Sequence, residues 1–118
     1  MELNRKIFST EFAGRPLSFE VSRVGEQADA ALIGRYGDTA VLATVVLGKK
    51  DKSGMDYFPL TVNYEEKFYA VGKILGSRFM RREGKSSDEA VLSGRLIDRT
   101  IRPLFNSATR REVQVVVT

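Results

Sequence analysis

The sequence contains neither cysteine nor histidine. Without cysteine, the chain cannot form a disulfide, a thiolate metal site or a thiol nucleophile. Without histidine, it lacks the commonest general base, the Ser-His and Cys-His dyads and the usual ligand of transition metals. Any chemistry carried by these residues must therefore use Asp, Glu, Lys, Arg, Ser, Thr or Tyr.

Long apolar runs are also missing. No stretch approaches the roughly 18 apolar residues of a membrane-spanning helix, and the first six residues lack the apolar stretch of a secretory signal. We therefore expect a cytoplasmic protein. The chain shows no repeat and no linker, and its 118 residues, 42% of them apolar, predict one domain or part of one with a modest core.

Positive charge is concentrated in one segment of the chain. The net charge is +4. Residues 1–77 contain ten basic and ten acidic side chains, whereas residues 78–111 contain nine basic and only four acidic ones. Because the excess lies in residues 78–111, this segment is the candidate binding region for an anionic partner.

Alternating apolar and polar side chains predict strands, and the first four form two hairpins. Turns are predicted at residues 13–16 and at Gly37-Asp38, and a polar loop at residues 48–54. Pro59 cannot donate a ladder hydrogen bond, so its strand should begin there or lie at an edge. The predicted strands are residues 8–12, 17–21, 31–36, 40–47, 58–65 and 112–117.

The clearest helix is predicted at residues 87–102. Ser86 and Glu89 match a capping box at its start, and Pro103 stops it. Residues 66–85 fit no regular period and are predicted to form a long loop. The apolar side of the helix is Leu92, Leu96, Ile97 and Ile101, and the opposite side carries Arg95, Arg99 and Arg102.

These elements predict an α+β fold, with a mostly antiparallel or mixed sheet and one long helix packed on it. The last strand, residues 112–117, is apolar and would need neighbouring strands. We therefore expect a truncated chain that is marginally stable or self-associating, because unpaired apolar strand edges recruit other chains.

The basic segment has the composition of a single-strand nucleic-acid site. Arg78, Phe79, Arg81, Arg82 and Lys85 combine guanidinium groups, which bind phosphates, with a ring on which a base can stack. A solvated basic loop with Phe79 in the core is the alternative.

The helix arginines also have an alternative interpretation, since they could form a surface ion-pair ladder around Asp98. Glu65 and Glu66 could suggest paired carboxylates, but with no third ligand they are better explained as a polar strand end. Residues 36–39 are better explained as a turn than as a site.

Several motifs resemble those of polynucleotide phosphorylases. The most specific combination is Arg-Arg-Glu-Gly at residues 81–84 with Arg-Leu-Ile-Asp-Arg-x-Ile-Arg-Pro-Leu-Phe at residues 95–105. Order and spacing agree over nearly the whole chain. The matching segments are residues 31–42, 58–70, 72–74, 81–84, 87–89, 95–105 and 112–115.

The resemblance implies the first half of the first of two RNase PH-like cores, so that residues 1–118 form the N-terminal portion of that domain. Family members form a trimeric ring around single-stranded RNA, work with the RNA-decay machinery, and degrade RNA from its 3′ end. Inorganic phosphate attacks the terminal linkage and releases nucleoside diphosphates, and Mg²⁺ is required. The phosphate and metal sites belong to the second core, so we expect no catalytic or metal-binding residue in this chain.

The resemblance also implies a channel loop that grips RNA, with Phe79, Arg81 and Arg82 as its RNA-binding residues. Arg78, Lys85, Arg95, Arg99 and Arg102 are secondary candidates. Met80 replaces the second aromatic residue of that loop, and Arg78 is an additional residue. A non-catalytic RNA-binding or ring-building module is the main alternative. A duplex-DNA-binding domain is disfavoured because no helix-turn-helix pattern is present.

Overall fold

The computed structural model describes residues 5–51, 54, 56–73 and 87–118. Its six-stranded sheet has the order β1-β2-β3-β4-β6-β5 and carries one long helix, α1. Neighbouring strands are antiparallel except for β5 and β6, which are parallel, so the mixed sheet expected from the sequence is confirmed. The elements are β1 Lys6–Phe12, β2 Arg15–Val21, β3 Ala30–Tyr36, β4 Thr39–Asp51, β5 Leu60–Tyr64, α1 Asp88–Ile101 and β6 Arg111–Val117.

The two predicted hairpins are present. Ala13 and Gly14 form the first turn with φ values of 51° and 79°, the left-handed conformation that a tight hairpin turn requires. Gly37 has φ 59° in the second turn, next to Asp38. Both turns are short, and the strands on either side pair in an uninterrupted antiparallel register.

β4 is longer than expected. The predicted polar loop at residues 48–54 was wrong for residues 48–51, which continue the strand to a pairing of Asp51 with Arg111. At Gly48 the two backbones come close, because a Cβ there would lie 3.3 Å from the backbone N and O of Glu112. The Arg111 side chain donates hydrogen bonds to the carbonyl oxygens of Gly48 and Lys49. Cross-strand contacts therefore hold a polar segment in an extended form.

β6 has strand partners on both sides. It pairs with β4 and β5, and Val113, only 1% exposed, lies at the centre of the core with Val115, Val117, Phe58 and Leu60. The neighbouring strands that residues 112–117 were expected to need are therefore present within this chain. The two edges of the sheet are β1 and β5. β5 begins directly after Pro59 at one of these edges, as the proline predicted.

The N-cap of α1 lies one residue later in the chain than predicted. Ser87 is the N-cap, and its Oγ accepts a hydrogen bond from the Ala90 N–H at 3.1 Å. Ser86, the predicted cap, lies outside the described residues. Among the residues that the structure describes, no helix is both long and apolar enough to cross a membrane.

The helix packs on β5 through small residues. Ala90 and Gly94 are buried, and a Cβ at Gly94 would lie 3.6 Å from the Tyr64 Cβ. Ile97 packs against the core, as expected, but Leu92 and Leu96 are exposed, which corrects the predicted apolar side. The side of α1 that faces β5 is thus the one with the two small residues, which let the helix backbone approach the strand closely, and the two leucines lie away from the sheet.

Candidate nucleic-acid interface

A groove of about 560 Å³ runs between β5 and α1. The helix lies roughly antiparallel to the strand: Arg102, just after the helix, bonds the carbonyl of Leu60 where β5 begins, while Gly94 lies over Tyr64 where β5 ends. The groove therefore extends from the C-terminus of α1 to the end of β5. Its lining residues are Val62, Asn63, Tyr64, Glu65, Ala90, Val91, Gly94, Arg95, Asp98, Arg99 and Arg102.

Arg102 forms a cross-link between helix and strand. Its Nε and Nη2 each donate to one oxygen of Asp98 at 2.8 Å, and the guanidinium also donates to the carbonyl oxygens of Phe58 at 3.1 Å and Leu60 at 3.2 Å. The Asp98 hydrogen bond raises the pKa of Arg102. Since these bonds use four of the five guanidinium N–H groups, Arg102 is mainly a structural residue.

Arg95 and Arg99 differ from Arg102 in their exposure and in their ion pairing. Both side chains are exposed in the groove, and neither forms an ion pair with any other described residue. The predicted ion-pair ladder is therefore confirmed for Asp98 with Arg102 but not for Arg95. Residues four apart on a helix have Cβ atoms about 5–6 Å apart, and like charges at this spacing destabilise a helix by a few tenths of a kcal/mol. An anion bound between Arg95 and Arg99 would remove this repulsion.

The acidic residues of the groove already have cationic partners. Asp98 is bonded to Arg102, and Glu65 accepts a hydrogen bond from Lys67 at 2.6 Å. The charges of Arg95 and Arg99 are thus not offset by these two carboxylates. The groove can hold an anionic group, and its two arginines have the fork geometry that suits a phosphate.

Comparison with known proteins identifies the family. The model of the 3′ exoribonuclease family, domain 1 (RNase PH), matches residues 13–118. The chain belongs to this 3′ exoribonuclease family. The RNase PH-like fold expected from the motifs is thereby confirmed.

Curated relatives of the chain are named polyribonucleotide nucleotidyltransferase. The chain is 55% identical to the protein from Anoxybacillus flavithermus over 116 residues, which are 98% of this chain and 16% of that protein. It is 59% identical to the protein from Thermomicrobium roseum over 110 residues, 93% of this chain and 14% of that protein. The similarity to polynucleotide phosphorylases is confirmed, and the chain spans about one sixth of the length of such relatives.

The principal RNA-binding residues predicted from the sequence lie outside the described residues. These are Phe79, Arg81 and Arg82, together with Arg78 and Lys85, and they remain predictions. Of the secondary candidates, the structure brings Arg95, Arg99 and Arg102 together in the groove. Sequence reasoning missed the neutral wall that β5 supplies to this groove, including Asn63 and Tyr64, because only the helix packing reveals which strand faces the arginines.

The described part of the chain contains no group of three or more acidic side chains that could hold a metal ion. Glu65 and Glu66, considered above as a carboxylate pair, do not form such a group, and Glu65 is bonded to Lys67.

Proposed function

We propose that this chain is the N-terminal portion of the first RNase PH-like core of a polyribonucleotide nucleotidyltransferase, which degrades single-stranded RNA from its 3′ end by phosphorolysis. The match of the 3′ exoribonuclease domain over residues 13–118 carries this proposal. The names of relatives such as that from Anoxybacillus flavithermus support it. In this reaction, inorganic phosphate attacks the terminal phosphodiester and the last nucleotide leaves as a nucleoside diphosphate.

The contribution of this chain to the reaction is RNA binding. Arg95 and Arg99 are exposed, share one groove and form no ion pair with another described residue, so they are available to RNA phosphates. Arg81, Arg82 and Phe79, which the family resemblance implies are RNA-binding residues, contribute further contacts to the same RNA. Arg102 acts through structure, since it holds α1 to the beginning of β5.

The remaining parts of the activity belong to the whole protein. The residues that hold inorganic phosphate and Mg²⁺ are supplied by the second core. Three copies assemble into a cytoplasmic ring around the RNA, so modest contacts made by each copy add through multivalency. Partners from the RNA-decay machinery act on this assembly.

A phosphate-dependent RNA decay assay tests the proposal. The full-length protein that carries this sequence should release nucleoside diphosphates from poly(A) when phosphate and Mg²⁺ are present. The 118-residue chain alone should release none above a mock purification, because it has no histidine, no cysteine and, in its described part, no carboxylate cluster. Phosphate-dependent release of nucleoside diphosphates by the 118-residue chain would contradict the proposal that the reacting groups lie outside this chain. A full-length protein that binds RNA without phosphorolysis supports the non-catalytic module instead.

The channel loop has its own test in the full-length protein. Replacing Arg81 and Arg82 with alanine together should weaken RNA binding across sequences and raise KM for long RNA with little change in kcat, since the groups that react are elsewhere. The log–log salt dependence of binding should flatten by about 0.7 for each RNA phosphate that an arginine no longer neutralises. Unchanged affinity and slope in a folded trimer would show that the loop is only a solvated surface.

A further inference from the structure

A short 3₁₀ turn, Phe68–Val71, follows β5 and exposes aromatic rings. Hydrogen bonds hold the backbone of this aromatic turn. Gly72 closes the turn with φ 74°, and its N–H donates to the carbonyl oxygens of Phe68 and Tyr69. None of its residues is buried, and Tyr69 and Phe68 are 69% and 39% exposed. The turn thus presents two rings to solvent on a backbone held by hydrogen bonds.

The residues that flank the aromatic turn in the sequence are mostly charged, although the turn itself also exposes Val71, at 71%. Glu65, Glu66 and Lys67 precede it and Lys73 follows it. The other exposed phenylalanines, Phe8, Phe12 and Phe19, lie instead on one face of the sheet, where Phe8 is opposite Phe19 and Phe12 packs against Tyr36. Exposed rings flanked by charged residues suit a flat partner that has a π face and charged groups, and a nucleic-acid base on its phosphate backbone has both.

The aromatic turn lies beyond the end of the groove where β5 finishes. Glu65 lines the groove and accepts a hydrogen bond from Lys67, the residue immediately before the turn. Arg95 and Arg99 lie further along the same groove. A strand whose phosphates contact these arginines can therefore continue toward the turn and place bases against its rings.

We propose that the aromatic turn is a base-stacking surface for single-stranded RNA, with Tyr69 as its principal ring. This inference rests on the proposed function, and it adds to the phosphate contacts of the groove a second kind of contact. Stacking does not depend on base identity, because every base has a π face, so the turn serves an enzyme that degrades RNA of any sequence.

Binding of a fluorescent single-stranded oligoadenylate to the full-length protein tests the proposal, with 2-aminopurine placed at successive positions to report stacking. Tyr69→Ala should weaken binding by about fivefold or more, the low end of base–aromatic stacking, and leave the slope of log affinity against log salt unchanged. Tyr69→Phe keeps the ring and should bind within about twofold of the wild type. Tyr57→Ala is the matched control, because Tyr57 is 64% exposed but precedes β5.

The outcomes separate this inference from the function on which it rests. A wild-type protein that fails to bind single-stranded RNA overturns the proposed function. Wild-type binding that is unchanged in Tyr69→Ala, with unchanged 2-aminopurine fluorescence, overturns the stacking surface alone. If Tyr69→Ala instead lowers the melting temperature or dissociates the oligomer and leaves RNA affinity intact, the turn contacts protein and the proposal is wrong.

Discussion

The two halves of the sheet differ on the face that α1 covers. The strand register places Phe8, Phe19, Gly34 and Val41 next to one another on this face. Farther along β4, Val45 lies on the same face and is followed across the sheet by Val115 and Val62. Over β5 and β6 the helix covers this face, and Val113, Val115 and Val117 of β6 are buried. Over β1 and β2, Phe8, Phe12 and Phe19 are exposed instead. Among the residues that the structure describes, one half of the sheet thus has an apolar core and the other half has none.

The uncovered half is held by local contacts. The Phe19 ring lies over Gly34, Phe12 packs edge-on against Tyr36, and the Tyr36 hydroxyl donates to the Phe12 carbonyl oxygen at 2.9 Å. On the opposite face, the buried Glu20 pairs with Arg35 and Arg5. Hydrogen bonding and cross-strand pairs can therefore form a regular sheet without a helix above it, but they remove little apolar surface from water.

The same substitution in each half gives the largest contrast. Phe58 is 7% exposed and its ring stacks on Phe105 at 5.1 Å, whereas Phe8 is 60% exposed. Phe58→Ala should lower the free energy of unfolding by about 3–5 kcal/mol, the range for truncating a buried phenylalanine. Phe8→Ala should cost less than about 1 kcal/mol, because little of its ring leaves water on folding. Urea unfolding followed by circular dichroism measures both. Equal losses would contradict the division into two halves.

The helix–strand cross-link gives a smaller effect. Arg102→Ala removes hydrogen bonds to Asp98 and to the carbonyl oxygens of Phe58 and Leu60, and should destabilise the chain by about 1–2 kcal/mol, since the guanidinium is partly exposed. Arg99→Ala removes the same side chain one turn earlier, with no ion pair to lose among the described residues, and should change stability by less than about 0.5 kcal/mol. If both variants melt alike, Arg102 is not the cross-link.

The smallest effect is expected in the uncovered half. Glu20→Gln removes the charge that pairs with Arg35 and Arg5, and should cost about 1 kcal/mol because both arginine partners are largely exposed. Glu11→Gln, on the exposed strand β1, serves as the control and should be neutral. Thermal unfolding at low and at high salt checks this. A loss for Glu20→Gln above that for Arg102→Ala would show that the hairpins, not the helix, limit stability.

Local sequence patterns predicted most elements of the fold. Alternation identified the hairpin strands, Gly37 identified a turn, and Pro103 marked the end of the helix. The pairing of β6 with β4 and β5 could not be predicted, since it joins residues far apart in the chain and depends on which strands have free edges. The exposure of Leu92 and Leu96 was also missed, because it follows from how closely Gly94 approaches Tyr64.

The candidate site was predictable in part. The excess of basic residues in the segment 78–111 indicated where an anion would bind, and the motifs indicated the family. The structural role of Arg102, which Arg95 and Arg99 do not share, could not be predicted. Arg95 and Arg102 lie three residues before and four residues after Asp98, so either could pair with it, and only the position of β5 decides that Arg102 meets two backbone carbonyl oxygens.

The salt dependence of RNA binding tests the central claim most directly, that Arg95 and Arg99 hold RNA phosphates in the groove. The full-length protein with both residues changed to glutamine should bind single-stranded RNA with a log–log salt slope that is smaller by about 1.4, or about 0.7 for each arginine. Arg15→Gln with Arg23→Gln removes the same charge from the hairpin region and should leave the slope within about 0.3 of the wild type. A slope that is unchanged in the groove variant, or that falls equally in the control, would contradict the account.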